Sequence, residues 1–459
     1  MTSPPPPAGF DCEVLVVGAG PGGTAAAICL ARAGRDVVVI DKAAFPRDKC
    51  CGDGLTTGAL RMLDALGLAP GDVASWSEVT QARVVSPSGR VADLSLQQDG
   101  PGGGIFCAVA RRIDLDAALV DLARDAGATV LDGHGLTAMT VPMGSECVAA
   151  EVEGVGTVRA RYVIAADGMW SPTRKLLLST PDGGTLGDPI GYLGEWHGMR
   201  QYFSDVGPLA ASQLWVWFEP DLLPGYMWSF PLLDGRANVG YGLLRGSDRA
   251  NAGGAITAHD ASSTLVPRIR SASGRQPLGK HMKALWPQLL ERPHIREVLG
   301  ANATPEEPVK AWPIPARIGE ATLTTAGGRV LFVGDAARAT DPLTGEGIGQ
   351  ALETGMLAAE SIIAAGALSP YRAAQRYEGE LRRGMALDHA LAGFLARAMS
   401  HRRGARAAVR IAGSTPWVRR NFARWLFEDY PRAVVATPHR WRRGVMTGSG
   451  AFRREGSGR

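Results

Sequence analysis

The sequence has no long apolar run. No stretch of about 20 apolar residues is free of glycine and charge, so we expect no membrane-spanning helix. The N-terminal residues lack a basic segment followed by an apolar one, so we expect no signal peptide, and Pro-rich residues 1–11 are expected to be a disordered leader. With 459 residues, 45% of them hydrophobic and 20% charged, the chain is typical of a globular protein with two or more structural units.

Cysteine is also scarce. The six cysteines are irregularly spaced, at positions 12, 29, 50, 51, 107 and 147. This pattern excludes a disulfide framework and favours a reducing, cytoplasmic environment. Cys50 and Cys51 are adjacent rather than in C-x-x-C spacing, and no His cluster accompanies them, so we expect no metal site.

Net charge is small but unevenly distributed. Residues 401–459 contain fourteen Arg and three acidic residues, hence +11, which leaves −7 for the rest of a chain whose formal charge is +4. A basic segment of this kind binds nucleic acid, an anionic membrane surface or an acidic partner. No nucleic-acid-binding module accompanies the arginines, so nucleic acid is not expected. Residues 415–431 predict a helix with an apolar face, which either lies on a membrane or packs on the protein.

The glycine-rich stretch near the N-terminus is the strongest local pattern. Val14–Val17 is typical of a buried parallel strand, residues 24–33 favour a helix, and Val37–Ile40 predicts a second strand. Residues 18–23 fit G-x-G-x-x-G, and Asp41 follows the last of these glycines by 18 residues. Glycines allow a tight turn and close approach of a pyrophosphate to the helix N-terminus, and the acid accepts hydrogen bonds from a ribose. The stretch therefore predicts a dinucleotide site.

The rest of the chain alternates between two patterns. A β-region is expected at residues 76–110, helix plus strand at 110–133, short Trp- and Tyr-rich strands with a helix near 281–299 between about 180 and 320, a strand, Gly/Pro loop and long helix at 329–366, and further helix at 371–413. Strands inserted between pieces of a nucleotide-binding domain are indicated.

Three motifs, in this order, resemble those of the FAD-dependent enzymes with the para-hydroxybenzoate hydroxylase fold. They are the glycine turn with Asp41, a DG motif (Asp167-Gly168-x-x-Ser171-x-x-Arg174), and a GD motif (Gly334-Asp335-Ala336-Ala337) followed by Asp341-Pro342-x-x-Gly345-Glu-Gly347-Ile348. Arg112 matches the arginine with which that family contacts the flavin chain. The resemblance covers most of residues 12–370.

This resemblance implies an α/β fold with a Rossmann-like FAD-binding domain of the glutathione-reductase type, an inserted, mainly antiparallel β-sheet substrate domain and a helical C-terminal region. The expected FAD-binding domain comprises residues 12–80, 105–178 and 322–370, the substrate-binding β-domain residues 81–104 and 179–321, and the helical, basic C-terminal region residues 371–459. FAD contacts are expected at Gly18, Gly20, Gly22, Gly23, Asp41, Lys42, Arg47, Cys51, Gly52, Gly54, Arg112, Asp167, Gly334, Asp335, Pro342, Gly345, Gly347 and Ile348.

Two further motifs resemble the geranylgeranyl reductase family in particular. One is Pro46-Arg47-x-Lys49-x-Cys51-Gly52-x-Gly54, and the other is Tyr226-x-Trp228-x-Phe230-Pro231. A substrate of isoprene units needs an apolar, aromatic-lined tunnel, and we expect Tyr202, Tyr226, Trp228 and Phe230 to bind it. Trp215 and Trp217 are interpreted instead as core residues of the sheet.

The resemblance implies reduction of isolated C=C bonds in a polyprenyl chain, by hydride from reduced FAD and a coupled proton. Cys51 and Tyr226 are candidate proton donors, Cys51 because Arg47 and Lys49 are expected to shift its pKa, and Trp228 is a further candidate for the catalytic site. A second interpretation of Cys51 is a small residue packed at the flavin edge. The electron donor, NAD(P)H or ferredoxin, is left open because no second dinucleotide motif is present.

Two other functions stay open from the sequence. One is a flavin-dependent monooxygenase or halogenase that acts on an aromatic or polyketide-type molecule, and the other is a flavin-bearing redox carrier or assembly partner. The expected location is cytoplasmic, and peripheral contact with the inner face of the membrane through the C-terminal region is left open.

Overall fold

The computed structural model describes residues 11–96, 103–141, 146–181, 183–245, 278–366, 369–426, 431–434, 437–441 and 448–453. The predicted leader (residues 1–11) lies outside these ranges except for its last residue.

The strands are, in chain order, β1 (Cys12–Val17), β2 (Val37–Asp41), β3 (Gly54–Leu55), β4 (Ser77–Glu78), β5 (Gln81–Val85), β6 (Val91–Ser95), β7 (Ala108–Val109), β8 (Thr129–Asp132), β9 (Leu136–Thr140), β10 (Val148–Val152), β11 (Gly156–Ala165), β12 (Trp196–Ser204), β13 (Leu214–Trp217), β14 (Tyr226–Leu232), β15 (Arg236–Leu244), β16 (Thr304–Pro305), β17 (Lys310–Ile314), β18 (Thr324–Thr325) and β19 (Val330–Phe332).

The α-helices are α1 (Pro21–Arg32), α2 (Thr57–Ala65), α3 (Arg112–Asp125), α4 (Pro172–Leu178), α5 (Pro208–Ser212), α6 (Leu278–Leu290), α7 (Pro293–Leu299), α8 (Ile348–Ala365), α9 (Pro370–Arg383), α10 (Met385–Met399), α11 (Arg402–Ala412) and α12 (Pro416–Leu426).

The first large sheet is built around β1. It has eight strands, with the path β18-β19-β11-β1-β2-β8 and with β10 and β9 attached to β11. The strands from β19 to β8 are parallel, and β1 is almost fully buried, as its aliphatic sequence predicts. This sheet and its helices confirm the predicted Rossmann-like α/β fold, and β1, α1 and β2 confirm the local prediction.

Helices α1 and α8 cross at two glycines. A Cβ on Gly355 would lie 2.0 Å from the carbonyl oxygen of Gly22, so this contact requires glycine. The close approach sets the N-termini of α1 and α8 side by side at one edge of the sheet, where both face the same space.

The second large sheet is mainly antiparallel. Its eight strands follow the path β16-β12-β15-β14-β13-β5-β6, with β17 attached to β12, and the β13–β5 pair alone among these described pairs is parallel. Side chains alternate along β13: Trp215 and Trp217 are stacked in the core, 7% and 1% exposed, whereas Leu214 and Val216 point the other way. The interpretation of both tryptophans as core residues is confirmed.

The helices near 281–299 and in 371–413 are shorter than the patterns indicate. The first is split into α6 and α7 because Pro293, which has no N–H, begins a new helix. The second is divided into α9, α10 and α11 at Gly384 and at Ser400–His401. Within the described ranges, no helix combines the length and apolarity needed to cross a bilayer. The exact bounds of the two domains stay a prediction.

Candidate active site

A cavity of about 670 Å³ is lined by residues of both large sheets and of the C-terminal helices. Most of the predicted site residues meet in its wall: Gly20, Gly22, Cys51, Gly52, Gly54, Arg112, Tyr226, Trp228, Phe230, Gly334, Asp335, Gly345, Gly347 and Ile348. The remaining ones do not line the cavity: Gly18, Gly23, Asp41, Lys42, Arg47, Asp167, Tyr202 and Pro342. Motifs more than 300 residues apart are thus brought together at one place.

The glycine turn presents the N-terminus of α1 to this cavity. Gly18 has a φ of +105°, and a Cβ there would lie 2.4 Å from the carbonyl oxygen of Ala166, so the turn requires glycine. Gly20 is the N-cap of α1 and offers no side-chain cap, and Pro21 follows at the first helical position. The guanidinium of Arg47 lies 3.7 Å from the position of a Cβ on Gly20. Free backbone N–H groups, the helix dipole and Arg47 together form a site for a pyrophosphate.

Asp41 lies at the end of β2, where its carboxylate is already oriented. Its oxygens accept hydrogen bonds from the backbone N–H groups of Ala19 (2.8 Å) and Ala43 (2.9 Å). Each carboxylate oxygen has a further lone pair, so a ribose hydroxyl can still donate to it. Lys42 is exposed next to it.

Arg112 is held rigidly in the cavity wall by Asp116. Its Nε and Nη2 donate to Asp116 at 2.7 and 2.6 Å, and Arg47 donates to the same carboxylate at 2.8 Å. Burial by itself would lower the pKa of Arg112, but Asp116 outweighs burial and the pKa lies above its ordinary value. A permanently charged guanidinium with a fixed direction is therefore available to an anionic part of a cofactor.

The DG and GD motifs contribute differently. Asp335 lines the cavity, 3.4 Å from Nζ of Lys49, and accepts a hydrogen bond from Thr340. Asp167, in contrast, accepts hydrogen bonds from Ser171 Oγ (2.5 Å) and the backbone N–H of Thr173 (2.8 Å). Both oxygens of Asp167 thus shape its own loop, and Gly168 rather than Asp167 lines the cavity, so the FAD contact of Asp167 stays a prediction.

The Cys51 loop packs directly on the aromatic motif of β14. A Cβ on Gly54 would lie 3.0 Å from the Phe230 ring, and one on Gly52 would lie 3.6 Å from Trp228. The two motifs that resemble geranylgeranyl reductases therefore form one surface. Tyr226, Trp228 and Phe230 follow each other along it, with ring centroids about 6 Å apart.

A buried polar network behind this surface was not predicted. Asn238 donates to the carbonyl oxygen of Cys51 (2.9 Å) and to Oδ2 of Asp53 (2.8 Å), and accepts a hydrogen bond from the Trp228 indole (3.1 Å). Tyr202 donates to the same oxygen of Asp53 at 2.6 Å. Tyr202 is 2% exposed and does not line the cavity, so it supports the wall from behind rather than from the substrate side, where the sequence had placed it. Asp53, between two glycines, was the sequence signal for this network.

The electrostatics of Cys51 differ from the sequence-based expectation. Burial raises the pKa of the Cys51 thiol, and the charge that opposes this effect comes from Arg112. Arg47 and Lys49 are engaged by Asp116 and Asp335 instead. The expected influence of Arg47 and Lys49 on the pKa of Cys51 is therefore wrong, and the thiol keeps its proton at neutral pH. Burial likewise raises the pKa of the Tyr226 hydroxyl, which donates to the carbonyl oxygen of Thr344.

The basic C-terminal region covers the far part of the cavity. Apolar residues of α10, α11 and α12 line it: Leu395, Ala398, Met399, Ala407, Ala408, Val409, Ile411, Phe422, Trp425 and Leu426. The apolar face of α12 thus faces the interior of the protein, whereas Trp417 on the same helix is exposed. Of the predicted helix 415–431, residues 427–430 lie outside the described residues.

Arg432, which follows α12, reaches the loop that precedes α8. It forms a buried ion pair with Asp341 and donates to Thr344 Oγ1 at 3.2 Å. The backbone N–H of Ala433 and the guanidinium of Arg440 are bound by Asp388 of α10. A stretch that the sequence marks only as basic is therefore attached to the cofactor side of the cavity.

These groups fit FAD. An uncapped helix N-terminus with Arg47 suits the pyrophosphate, and carboxylates at Asp41 and Asp335 suit the ribose and ribitol hydroxyls. The fold and the site together define an FAD-dependent oxidoreductase.

Comparison with known proteins identifies the group within this class. The chain matches the FAD binding domain family over residues 11–185. It is 33% identical over 374 residues to menaquinone reductase of Mycolicibacterium smegmatis, covering 79% of this chain and 78% of that protein. It is 32% identical over 357 residues to digeranylgeranylglycerophospholipid reductase 2 of Methanopyrus kandleri, covering 76% of each chain. The chain therefore belongs to the family of FAD-dependent menaquinone and geranylgeranyl-type lipid reductases.

A solved structure supports the fold independently. The crystal structure of a geranylgeranyl bacteriochlorophyll reductase-like protein from Thermoplasma acidophilum has a TM-score of 0.67 to this chain at 23% identity. The match covers 93% of this chain and 98% of that one. The predicted arrangement of FAD-binding domain, inserted β-domain and helical C-terminal region is thus confirmed.

Proposed function

We propose that this protein reduces C=C bonds in the prenyl chain of a quinone, lipid or terpenoid. The cavity lining carries the proposal: apolar side chains extend from Trp228, beside the Cys51 loop, to Trp425 on α12. The charged lining residues lie in segments that we expect to hold FAD, and they are Lys49, Asp53, Arg112, Asp335 and Glu346. A substrate with a long apolar chain, one end of which lies near the cofactor, fits a cavity with a charged part and an apolar part. The names of the two relatives support a prenylated quinone or lipid.

Bound FAD, once reduced, would supply a hydride to one alkene carbon. Arg47, Arg112 and Asp335 would hold the cofactor, and Trp228 and Phe230 would align the alkene against it. Helices α11 and α12 cover the apolar part of the cavity and exclude water from it. Because an isolated alkene is a poor hydride acceptor, a proton must reach its other carbon in a closely coupled step.

Mass spectrometry tests this function directly. The FAD-loaded protein, reduced with dithionite under anaerobic conditions, is incubated with menaquinone or with a geranylgeranyl lipid. After any quinol formed by dithionite has been reoxidised in air, we expect products heavier by two hydrogens, with both hydrogens in the prenyl-chain fragments and none on the quinone ring or head group. A monooxygenase or halogenase would require O2 and would leave the anaerobic mixture unchanged. Reduced protein that stays reduced with every prenyl compound would support a redox carrier and contradict the proposal.

The electron source is proposed to be NAD(P)H or ferredoxin. Anaerobic mixing of the oxidised protein with NADH, NADPH or reduced ferredoxin, followed by flavin absorbance, distinguishes them. Bleaching with one of the three identifies the donor. If all three leave the flavin oxidised, this choice of donors is wrong.

Contact with a membrane is proposed at the mouth of the cavity. Each of three consecutive helices carries a large exposed apolar side chain, Phe394 on α10, Ile411 on α11 and Trp417 on α12, each about 60% exposed. Ile411 also lines the cavity, so these helices border its opening. The four arginines of α11 supply attraction to anionic lipid.

Flotation with anionic liposomes tests this contact. We expect F394S/W417S to float much less than wild type. I190S is the matched control, because Ile190 is 73% exposed but lies elsewhere in the chain. Equal flotation of all three proteins would contradict membrane contact at these helices.

A further inference from the structure

Glu346 lies in the cavity wall among residues that we expect to contact FAD, and the sequence motifs assigned it no function. It stands between Gly345 and Gly347, immediately before α8. One carboxyl oxygen accepts the backbone N–H of Gly349 at 2.5 Å, which fixes the direction of the side chain. Glu346 is partly buried and lines the cavity.

The groups around Glu346 and its neighbour Asp341 shift the pKa values of these two carboxyl groups in opposite directions. The groups that act on it or respond to it are Asp341 in the same loop, Arg432 of the C-terminal segment, Cys51, Cys107 and Tyr226 of β14. Burial would raise the pKa of Asp341, but Arg432, His389 and two backbone N–H groups outweigh it, so that pKa is lowered. Burial and the negative charge of Asp341 raise the pKa of Glu346 to about 7, although the hydrogen bond from the N–H of Gly349 lowers it. When the pKa values of two neighbouring carboxyl groups are shifted in opposite directions, one can act as a general acid while the other stays ionised. Here Glu346 is the acid and Asp341 the ionised group.

The two donor candidates from the sequence hold their protons more tightly. Burial raises the pKa of both the Cys51 thiol and the Tyr226 hydroxyl. A general acid transfers a proton best when its pKa lies near the operating pH. Glu346 meets this condition in the same wall of the cavity.

We propose that Glu346 is the proton donor of the reduction, an assignment that rests on the proposed function. One alkene carbon receives a hydride, with its electron pair, from the reduced cofactor. The O–H bond of Glu346 breaks, its proton forms a C–H bond with the other alkene carbon, and the electron pair stays on the carboxylate. The C=C bond becomes a saturated C–C bond, and the carboxylate regains a proton from water. Asp341 and Arg432 act as positioning residues, through the loop that carries Glu346.

Single-turnover oxidation of the reduced, FAD-loaded enzyme tests this donor. With a prenyl substrate, we expect the wild-type rate to fall as the pH rises above about 7. E346Q should be slower by roughly 10²- to 10⁴-fold and lack this pH dependence. E346D, which keeps a carboxyl, should restore it in part. E360Q is the matched control, because Glu360 is exposed on α8 and far along the helix.

Ferricyanide separates proton donation from a structural effect. It takes electrons from the flavin without needing a proton, so wild type and E346Q should be oxidised by it at equal rates. A similar slowing of E346Q with ferricyanide and with prenyl substrate would overturn the assignment, since cofactor placement would then explain the loss. An E346Q enzyme with wild-type rate and pH dependence would overturn it as well.

A readout without turnover uses infrared difference spectroscopy of the protein during a pH titration. We expect a protonated carboxyl signal that titrates near pH 7 and is weaker in E346Q than in wild type and E360Q, while Glu353, whose pKa burial also raises to about 7, supplies the signal that remains. A signal of equal size in wild type and E346Q would show an ionised Glu346 and overturn the assignment. Wild-type protein that reduces no prenyl compound would instead contradict the proposed function, while an E346Q variant that reduces it at the wild-type rate would contradict the donor alone.

Discussion

Nε of Arg432 lies 2.9 Å from Oδ2 of Asp341, 91 residues earlier in the chain. Both side chains are buried, 3% and 2% exposed. The other oxygen of Asp341 accepts the backbone N–H groups of Leu343 and Thr344, so the same carboxylate shapes the loop before α8. The C-terminal segment therefore controls the shape of a cavity wall that belongs to the FAD-binding domain.

Removal of Arg432 is expected to destabilise the protein strongly. R432A leaves the Asp341 carboxylate buried without its cation, which costs about 3–5 kcal/mol of unfolding free energy. R420A, which removes an exposed arginine of α12, should change it by less than about 0.5 kcal/mol. Urea denaturation of both variants measures the difference. Equal stability of R432A and R420A would show that the ion pair contributes nothing.

Substitution of Arg47 is expected to weaken FAD binding. In R47Q the pyrophosphate site at Gly20 loses a charge-assisted hydrogen bond of about 1.5–3 kcal/mol, so the Kd should rise roughly 10- to 100-fold. R35Q is the matched control. Arg35 is about as exposed as Arg47, and it pairs with Glu13 at 2.8 Å, the distance at which Arg47 pairs with Asp116. Titration of the apoprotein with FAD, followed by flavin fluorescence, gives both constants. An unchanged Kd for R47Q would place the pyrophosphate elsewhere.

Gly240 is expected to be essential for the place of Trp228. A Cβ there would lie 2.4 Å from the indole and 2.3 Å from the carbonyl oxygen of Met199, so G240A must displace the Trp228 ring or the neighbouring strand. Overpacking of this kind costs about 1–3 kcal/mol. At Gly242, on the same strand, the nearest atom to a Cβ is 3.8 Å away, so G242A should be far milder in thermal unfolding. Equal Tm values for G240A and G242A would mean that the cavity wall accommodates the added methyl group without loss of stability.

The stability of the protein should depend on pH through Asp53. Burial raises the pKa of this carboxyl from 3.8 to about 6, so the folded state keeps the proton to higher pH than the unfolded state. Unfolding then releases a proton between pH values of about 4 and 6, and the unfolding free energy falls as the pH rises through this window, by up to about 3 kcal/mol.

D53N should remove this part of the pH dependence. D205N is the control, since Asp205 also has a positive φ, 53° against 66°, but is exposed. Denaturation curves across the window measure the slopes. A D53N slope equal to that of wild type would show that Asp53 is ionised throughout.

The sequence by itself determined the parts of this protein whose signals are local. The strand, glycine turn and helix at residues 12–32 follow from aliphatic, glycine and alanine residues within one short stretch. The motifs around Cys51 and Trp228 indicated the family because their spacing lies within a few residues. The order of three flavin motifs along the chain was sufficient for the fold.

The tertiary structure decided which side chains meet and how they titrate. Arg432 is one of fourteen arginines in residues 401–459, and no local pattern marks it as the one that binds Asp341. Asn238 lies 185 residues from Asp53 in the chain but donates a hydrogen bond to it. Tyr202 also donates to the Asp53 carboxylate and lies behind the cavity wall. The raised pKa of Glu346 depends on burial and on the charge of Asp341. Burial and distance are properties of the folded chain, so the sequence pattern alone contained neither.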